Sequence, residues 1–262
     1  MADEAVGLNT RGALLDQLMA ASWPAATVEA HGGWAFRHTA GVTRRANSVL
    51  ISGEVPDIDE AIAAAEDFYR RRGASSTFMV SDASCPPEVV VGLESAGYVA
   101  QSPTWILAAD ADEIDLASPQ PSSNWVAEVA QAASDSWFDC YWAVESGRHQ
   151  PTAIKVYRNQ LLKPDAPARF VTVTRSGQPV AVGQVVVVGG WGCVQCLATS
   201  TTARRQGAGR AVLNELVAQS AELGARGLFA AVMVDNDASL ALCTGVGLRR
   251  SHQYRYYLDP LG

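Results

Sequence analysis

The chain has 262 residues, 48% of them hydrophobic and 18% charged, with a formal net charge of -7. That composition describes a globular chain able to bury about 70–75% of its unfolded surface, not a disordered one. The acidic balance, with a pI near 5.1, argues against a general nucleic-acid binder. No apolar run approaches the ~18 residues a membrane span needs. The first residues carry Asp3 and Glu4 in place of a basic segment, so no secretory signal is expected. Five cysteines, an odd count, read as reduced thiols in a cytoplasmic protein.

In chain order, residues 1–22 predict a helix with Leu14, Leu15, Leu18 and Met19 on one face, ended by Trp23-Pro24. Trp34–Thr39 and Ser48–Ile51 predict strands with Gly41 at the turn. A helix follows Pro56–Glu60, buries Ile62, Ala65, Phe68 and Tyr69, and stops at Gly73. Ser76–Val80 predicts a strand, Val89–Ser95 a helix closed by Gly97, and Tyr98–Ala108 one or two strands. Residues 109–123 are rich in Asp, Ala, Ser and Pro, and place a domain boundary near 115.

The second half opens with a predicted helix over Trp125–Ala133. Helices follow at the aromatic cluster Trp137, Phe138, Tyr141, Trp142 and over Thr152–Leu162. Arg169–Arg175, Val180–Val188 and Gly192–Ala198 predict strands, the first two joined by a turn at Ser176–Pro179. A glycine-containing loop, Arg204–Gly209, leads into a helix from Arg210 to Leu223. Leu228–Val234 predicts a strand, Ala238–Thr244 a helix and Ser251–Leu258 a terminal strand. Helix, strand, helix and strand recur in the same order at an offset of about 150 residues, which indicates an internal duplication.

The segment Leu197–Arg210 runs from a strand through a glycine-containing loop into a helix. The first turn of a helix has unpaired N–H groups and the positive end of the macrodipole. Gly207 and Gly209 let an anion approach that backbone, and Arg204, Arg205 and Arg210 add charge. Neither the three-glycine dinucleotide pattern nor the Gly-Lys-Ser/Thr of a nucleotide loop is present.

Arg204-Arg205-Gln206-Gly207-Ala208-Gly209 resembles the Arg/Gln-x-x-Gly-x-Gly/Ala loop of the GCN5-related N-acetyltransferases (GNATs). Asn236, Ser239, Leu242 and Gly247-Leu248 are similar to that family's second signature, and the resemblance spans about residues 170–258. It implies an α/β (α+β) protein of two tandem GNAT-like domains, each a mixed twisted sheet flanked by helices. Residues 1–115 would form a degenerate domain, because the counterpart of the phosphate loop, Ile51–Asp59, is acidic. Residues 116–262 would hold acetyl-coenzyme A as co-substrate, without a metal. The backbone amides of Arg205 to Arg210 would grip the pyrophosphate, and Leu197, Ala198 and Thr199 would pair with the pantetheine arm. Asn236 would touch that arm or shape the following turn, and Ser239 and Leu242 would also belong to the coenzyme site.

The family's tyrosine acid is replaced by Cys243, which is open to a proton-donor role or to core packing. The strand before the loop, Cys193-Val194-Gln195-Cys196, has no carboxylate, so Asp135, Asp139, Glu145 and His149 are the base candidates, Glu145 foremost, beside a water relay. Tyr254, Tyr256 and Tyr257 could replace Cys243, but alternation sends them to different faces. Trp137, Phe138, Tyr141 and Trp142 make one aromatic face, either core or the wall of an acceptor pocket. Cys193 and Cys196 lack a second ligand pair at zinc spacing. Arg44-Arg45-Ala46-Asn47-Ser48 is a local basic patch, open to a solvated turn or to an anionic acceptor. The expected activity is direct acetyl transfer to the primary amine of a small molecule or peptide. A non-catalytic coenzyme-A-binding sensor or interaction module, and O-acyl or longer-chain transfer, stand as alternatives.

Overall fold

The computed structural model describes residues 2–114, 125–145, 147 and 150–259, with the side chains of the first helix described from Thr10 onward. Two compact units divide the chain: Met1–Ile106 with Ser251–Gly262, and Leu107–Arg250. This differs from a single boundary near 115. The connecting segment 115–124 lies outside the described residues, and the terminal strand, expected to end the second half, belongs to the first unit.

Unit 1 contains α1 (Ala2–Ser22), β1 (Thr27–His31), β2 (Trp34–His38), β3 (Val49–Ile51), α2 (Ile58–Arg70), β4 (Thr77–Ser81) and α3 (Pro87–Ser95). β5 (Val99–Asp110) leaves it, and β11 (Arg249–Leu258) returns to it. The strands run β1-β2-β3-β4-β11. β3 and β4 are parallel over two rungs, Val49↔Phe78 and Leu50↔Met79, and the other pairs are antiparallel. The four positions predicted to face inward from α2 (Ile62, Ala65, Phe68 and Tyr69) are all buried, together with Ala61, against Trp34, Phe36, Phe78 and Tyr257. Asp57 caps α2 by accepting from Glu60 N–H at 3.0 Å, and Gly73 turns the chain at φ +65°.

Unit 2 orders its strands β6 (Val126–Ala130), β7 (Ala168–Arg175), β8 (Gln178–Val188), β9 (Trp191–Thr199) and β10 (Gly227–Met233) in reverse of that list, β10-β9-β8-β7-β6. Two-residue turns with both φ angles positive, Ser176-Gly177 and Gly189-Gly190, join β7 to β8 and β8 to β9. Their twist matches that of the strands they connect. α6 (Ala208–Glu222) packs on one face of β7, β8 and β9, where a Cβ on Gly183 would meet Val212 and Leu216. α4 (Asp135–Glu145) packs on β8 and β9 through the other face, with Trp137 edge-on to Phe170, the cross-strand neighbour of Gln184.

The predicted helix over Trp125–Ala133 is the strand β6, antiparallel to β7 from Val126↔Thr174 to Ala130↔Phe170. Val126 and Val129 imitate helical spacing and alanine favours helix, but both valines stay exposed on a sheet edge. Pairing with β7 outweighs local propensity there. The expected helix over Thr152–Leu162 is α5 (Ala153–Val156) running on into a π-helical turn, Tyr157–Leu161.

Candidate functional site

Two parallel strands of unit 2 part company at their C-terminal ends. β9 and β10 pair from Trp191↔Gly227 to Val194↔Ala230 and no further, although β9 continues to Thr199 and β10 to Met233. The cause lies in β9. Its register with β8 passes from Val182↔Ala198 to Gln184↔Gln195, so Cys196 and Leu197 together oppose Gly183. Such a bulge bends its strand, and Cys196 sits in it at φ +51°. Trp137, 1% exposed, fastens the bulge from the α4 side. Its Nε1–H donates to the carbonyls of Gly183 (3.2 Å) and Val171 (3.1 Å).

The loop after β9 turns back through a short 3-10 turn, Thr201–Ala203, with Ser200 N–H on the Val180 carbonyl at 2.8 Å. Arg205 and Gly207 take φ +58° and +91°. Gly207 caps α6 and has no side chain to offer its amides, so the first intrahelical bond is Ala211 N–H to the Gly207 carbonyl. The N–H groups of Ala208, Gly209 and Arg210 precede that bond, at the positive end of the helix. Gly209 lets this end press on its surroundings: a Cβ there would lie 3.0 Å from Thr199 Oγ1 and 3.5 Å from Leu242.

The loop's side chains brace it. Gln206 accepts from Arg175 through Oε1 (2.7 Å) and donates through Nε2 to the Thr202 carbonyl (2.8 Å), and its own carbonyl accepts from Trp125 Nε1 (3.2 Å). Arg204 Nε donates to the Thr199 carbonyl. Arg210 reaches Asn214 Oδ1 and the Gly245 carbonyl, tying α6 to α7 (Asp237–Thr244). Arg205 is exposed, and among the described residues its guanidinium has no hydrogen-bond partner. Asn236 shapes the turn: its Oδ1 accepts from Ser239 N–H at 3.1 Å and caps α7.

Cys243 is 2% exposed, and burial pushes its thiol up to about 12. A thiol so weak holds its proton against a coenzyme thiolate of ordinary acidity, near 8.5. Of its two roles, packing is the one its surroundings support. Tyr254, Tyr256 and Tyr257 belong to unit 1 and are buried there.

The aromatic face of α4 is largely interior. Trp137, Phe138 and Tyr141 are buried and Trp142 is half-buried, stacked on Phe138 with its edge toward Tyr157. The first three therefore pack the core and do not wall an open pocket. Asp135 and Asp139 pair with Arg158, whose guanidinium covers Phe138 at 4.0 Å. His149 lies outside the described residues. Glu145 is half-buried at the end of α4 and acts electrostatically on Tyr141, as do Cys196 and Tyr157. Burial, first, and these neighbours hold the Tyr141 hydroxyl well above its usual range. Tyr141, Tyr157, Cys196 and Glu145 thus converge beside the bulge. Tyr157 and Cys196 were not singled out in the sequence for this role; a bulge leaves no signature that a period-2 pattern reveals.

A strand pair parted by a bulge, followed by a glycine-turned helix start, is the architecture of an acyltransferase of the GNAT type, and solved structures share the fold. A GCN5-related N-acetyltransferase from Kribbella flavida superposes with a TM-score of 0.71 at 15% identity, over 100% of this chain and 96% of that one. A tandem GNAT protein from the clavulanic acid biosynthesis pathway superposes with a TM-score of 0.65 at 13% identity, over 99% and 96%. Residues 13–257 match the family model described as "Probable histone acetyltransferase Rv0428c C-terminal", and the chain belongs to that family. It is also 28% identical over 242 residues to the "Uncharacterized N-acetyltransferase YobR" of Bacillus subtilis, covering 92% of this chain and 96% of that protein.

Proposed function

We propose that the protein transfers an acetyl group from acetyl-coenzyme A to the primary amine of a small molecule or peptide, at the split between β9 and β10. The observation that carries this reading is the uncapped start of α6 behind Gly207, set directly after the bulged end of β9. The fit of a pyrophosphate rests on two features. The Ala208, Gly209 and Arg210 amides lie before the first helical bond, and Gly209 has no side chain between them and Thr199. Arg204 and Gln206 hold the loop's shape, while Arg205 adds an exposed charge. Beyond Val194↔Ala230 the main chain of Leu197, Ala198 and Thr199 has no rung to β10, and would receive the pantetheine arm as an added strand. Leu242 of α7 lies beside Gly209, and it and Ser239 are read as further contacts to the coenzyme.

The co-substrate supplies a thioester; the chain must take a proton from the amine and leave the coenzyme thiolate protonated. Glu145 is the base in this reading, since Asp135 and Asp139 are occupied by Arg158. Unit 1 is read as the degenerate repeat. It too has an antiparallel strand leading to a parallel pair, β3 and β4, each followed by a helix, but the start of α2 carries Asp57, Asp59 and Glu60 where unit 2 has its phosphate loop. No helix among the described residues is long and apolar enough to cross a membrane. The five free thiols fit a cytoplasmic setting.

Calorimetric titration with acetyl-coenzyme A tests the reading. Wild type is expected to bind and Gly207→Trp to lose binding while remaining folded. Equal binding by both proteins refutes the loop assignment.

A further inference from the structure

Unit 1 carries a cationic group that acyl transfer in unit 2 does not use. Arg37 of β2 is 3% exposed. Its Nη2 donates to the carbonyls of Ala20 (3.1 Å) and Trp23 (2.8 Å), closing the last turn of α1. That occupies one arm of the guanidinium. The other, Nη1, is buried, and among the described residues it has no hydrogen-bond partner and no carboxylate pairs with Arg37. Continuing the β2–β3 register one rung past Phe36↔Val49 sets Arg37 opposite Ser48, whose Oγ is also fully buried and unpartnered. Two polar groups in one stretch of one sheet face therefore lack partners, where buried polar groups ordinarily have them.

The surroundings add positive charge and aromatic walls. The Arg45 guanidinium lies 5.2 Å from the Trp23 ring, and that of Arg44 lies 6.0 Å from the Tyr256 ring. Tyr256 sits on the same face as Arg37 and Ser48, because Ala35, Leu50, Met79 and Tyr256 are successive cross-strand neighbours. Tyr256, Tyr69 and Arg45 all act electrostatically on Arg37. Burial lowers the Arg37 guanidinium to about 10, which leaves it charged at neutral pH, and both tyrosines are raised by burial and so are neutral there. A buried cation without a counter-charge is unfavourable. The loop beside it is held rigidly. Asn47 accepts from the Thr39 and Gly41 N–H groups and donates to the Val42 and Thr43 carbonyls, fixing Ala40 at φ +48° and Thr43 at φ +62°. A β-branched residue seldom adopts that conformation.

We propose that unit 1 holds an oxyanion site, in which Arg37 Nη1 and Ser48 Oγ bind the carboxylate or phosphate group of a small molecule approaching past Arg44 and Arg45. Arg44 is exposed and Arg45 half-buried, so positive charge runs from the surface toward the buried guanidinium. The shared chemistry is an oxyanion with donors on one side and the faces of Trp23 and Tyr256 beside it.

The test is a nuclear magnetic resonance titration of the full chain with its tryptophans labelled with nitrogen-15. Sodium phosphate and sodium acetate are added separately at constant ionic strength. The reporter is the Trp23 indole, which donates to Thr43 Oγ1 at 3.1 Å and is assigned with Trp23→Phe. The Trp125 indole, bonded to the Gln206 carbonyl, reports the α6 loop separately. A saturable Trp23 shift is expected, weakened about tenfold or more in Arg45→Gln and in Ser48→Ala, since each removes a charge or donor toward the anion. A response to phosphate alone, or to acetate alone, supports the site and identifies which group it takes. Absence of a saturable Trp23 shift with either anion overturns the proposal, as does wild-type titration by both variants. The remaining indole resonances show that each variant is folded.

Discussion

Replacing Trp137 by phenylalanine isolates what holds the β9 bulge. The substitution keeps an aromatic ring against Tyr141 and Phe170 and removes the Nε1–H that serves two buried carbonyls, Gly183 and Val171. Leaving buried carbonyls short of a donor costs about 1–3 kcal/mol. The smaller ring leaves a void that adds on the order of 1 kcal/mol. A loss of about 2–4 kcal/mol lowers the melting temperature by roughly 5–15 °C in a domain of this size. Thermal and urea unfolding measure it. Because Gly183 is the residue opposite Cys196 and Leu197, acetyl-coenzyme A binding by calorimetry is expected to weaken as well. Trp137→Leu, which also removes the ring, is the comparison. If Trp137→Phe melts within about 1 °C of wild type and only Trp137→Leu falls, ring volume and not the shared hydrogen bond holds the bulge, and the reasoning fails.

Other substitutions test neighbouring claims. Cys243→Ala is expected to keep kcat within about twofold while lowering stability by about 1 kcal/mol, as removal of a small buried group should; a collapse of kcat would restore the thiol as proton donor. The folded thiol titrates at about 12 against an ordinary 9.0, so its stabilising contribution is whole below pH 9 and fades as pH rises from 9 to 12. The stability difference between wild type and Cys243→Ala should shrink over that window. Gly227→Ala would place a Cβ 2.4 Å from Trp191 at the first β9–β10 rung. It should cost about 1–3 kcal/mol in urea titration. Glu145→Gln should lower kcat about a hundredfold with acetyl-coenzyme A affinity unchanged; near-wild-type turnover would remove Glu145 from the mechanism.

The elements that read most clearly from sequence were those with a strong period or a capping residue. α2 is an example, with its four predicted inward positions, Ile62, Ala65, Phe68 and Tyr69, between Asp57 and Gly73. The α6 loop was legible because glycine is required by backbone geometry: Gly207 sits at φ +91°, and Gly209 has no room for a side chain without displacing Thr199 Oγ1. Three things were not legible, each for a non-local reason. β6 takes its conformation from pairing with β7, more than forty positions away at Val126↔Thr174. The burial of Trp137, Phe138 and Tyr141 depends on which sheet face α4 covers, which an aromatic stripe does not specify. That no carboxylate among the described residues pairs with Arg37 depends on contacts far apart in sequence, and the Arg44–Ser48 patch pointed only to its neighbourhood.

The return of β11 to unit 1 bears on how the chain is made. Tyr256 pairs with Met79, 177 positions earlier, whereas every strand of the β10-β9-β8-β7-β6 set comes from one continuous stretch, 126–233. During synthesis at about 5–20 residues per second, β4 therefore waits roughly 10–35 s for its partner strand. Its free edge is open to wrong pairing throughout that time. The contiguous unit can mature on the ribosome, but the other closes only once β11 has been made. A nascent chain stalled before Ser251 would present an unfinished sheet to chaperones, and loss of β11 would leave β4 without its antiparallel neighbour in a unit built largely from the first hundred residues.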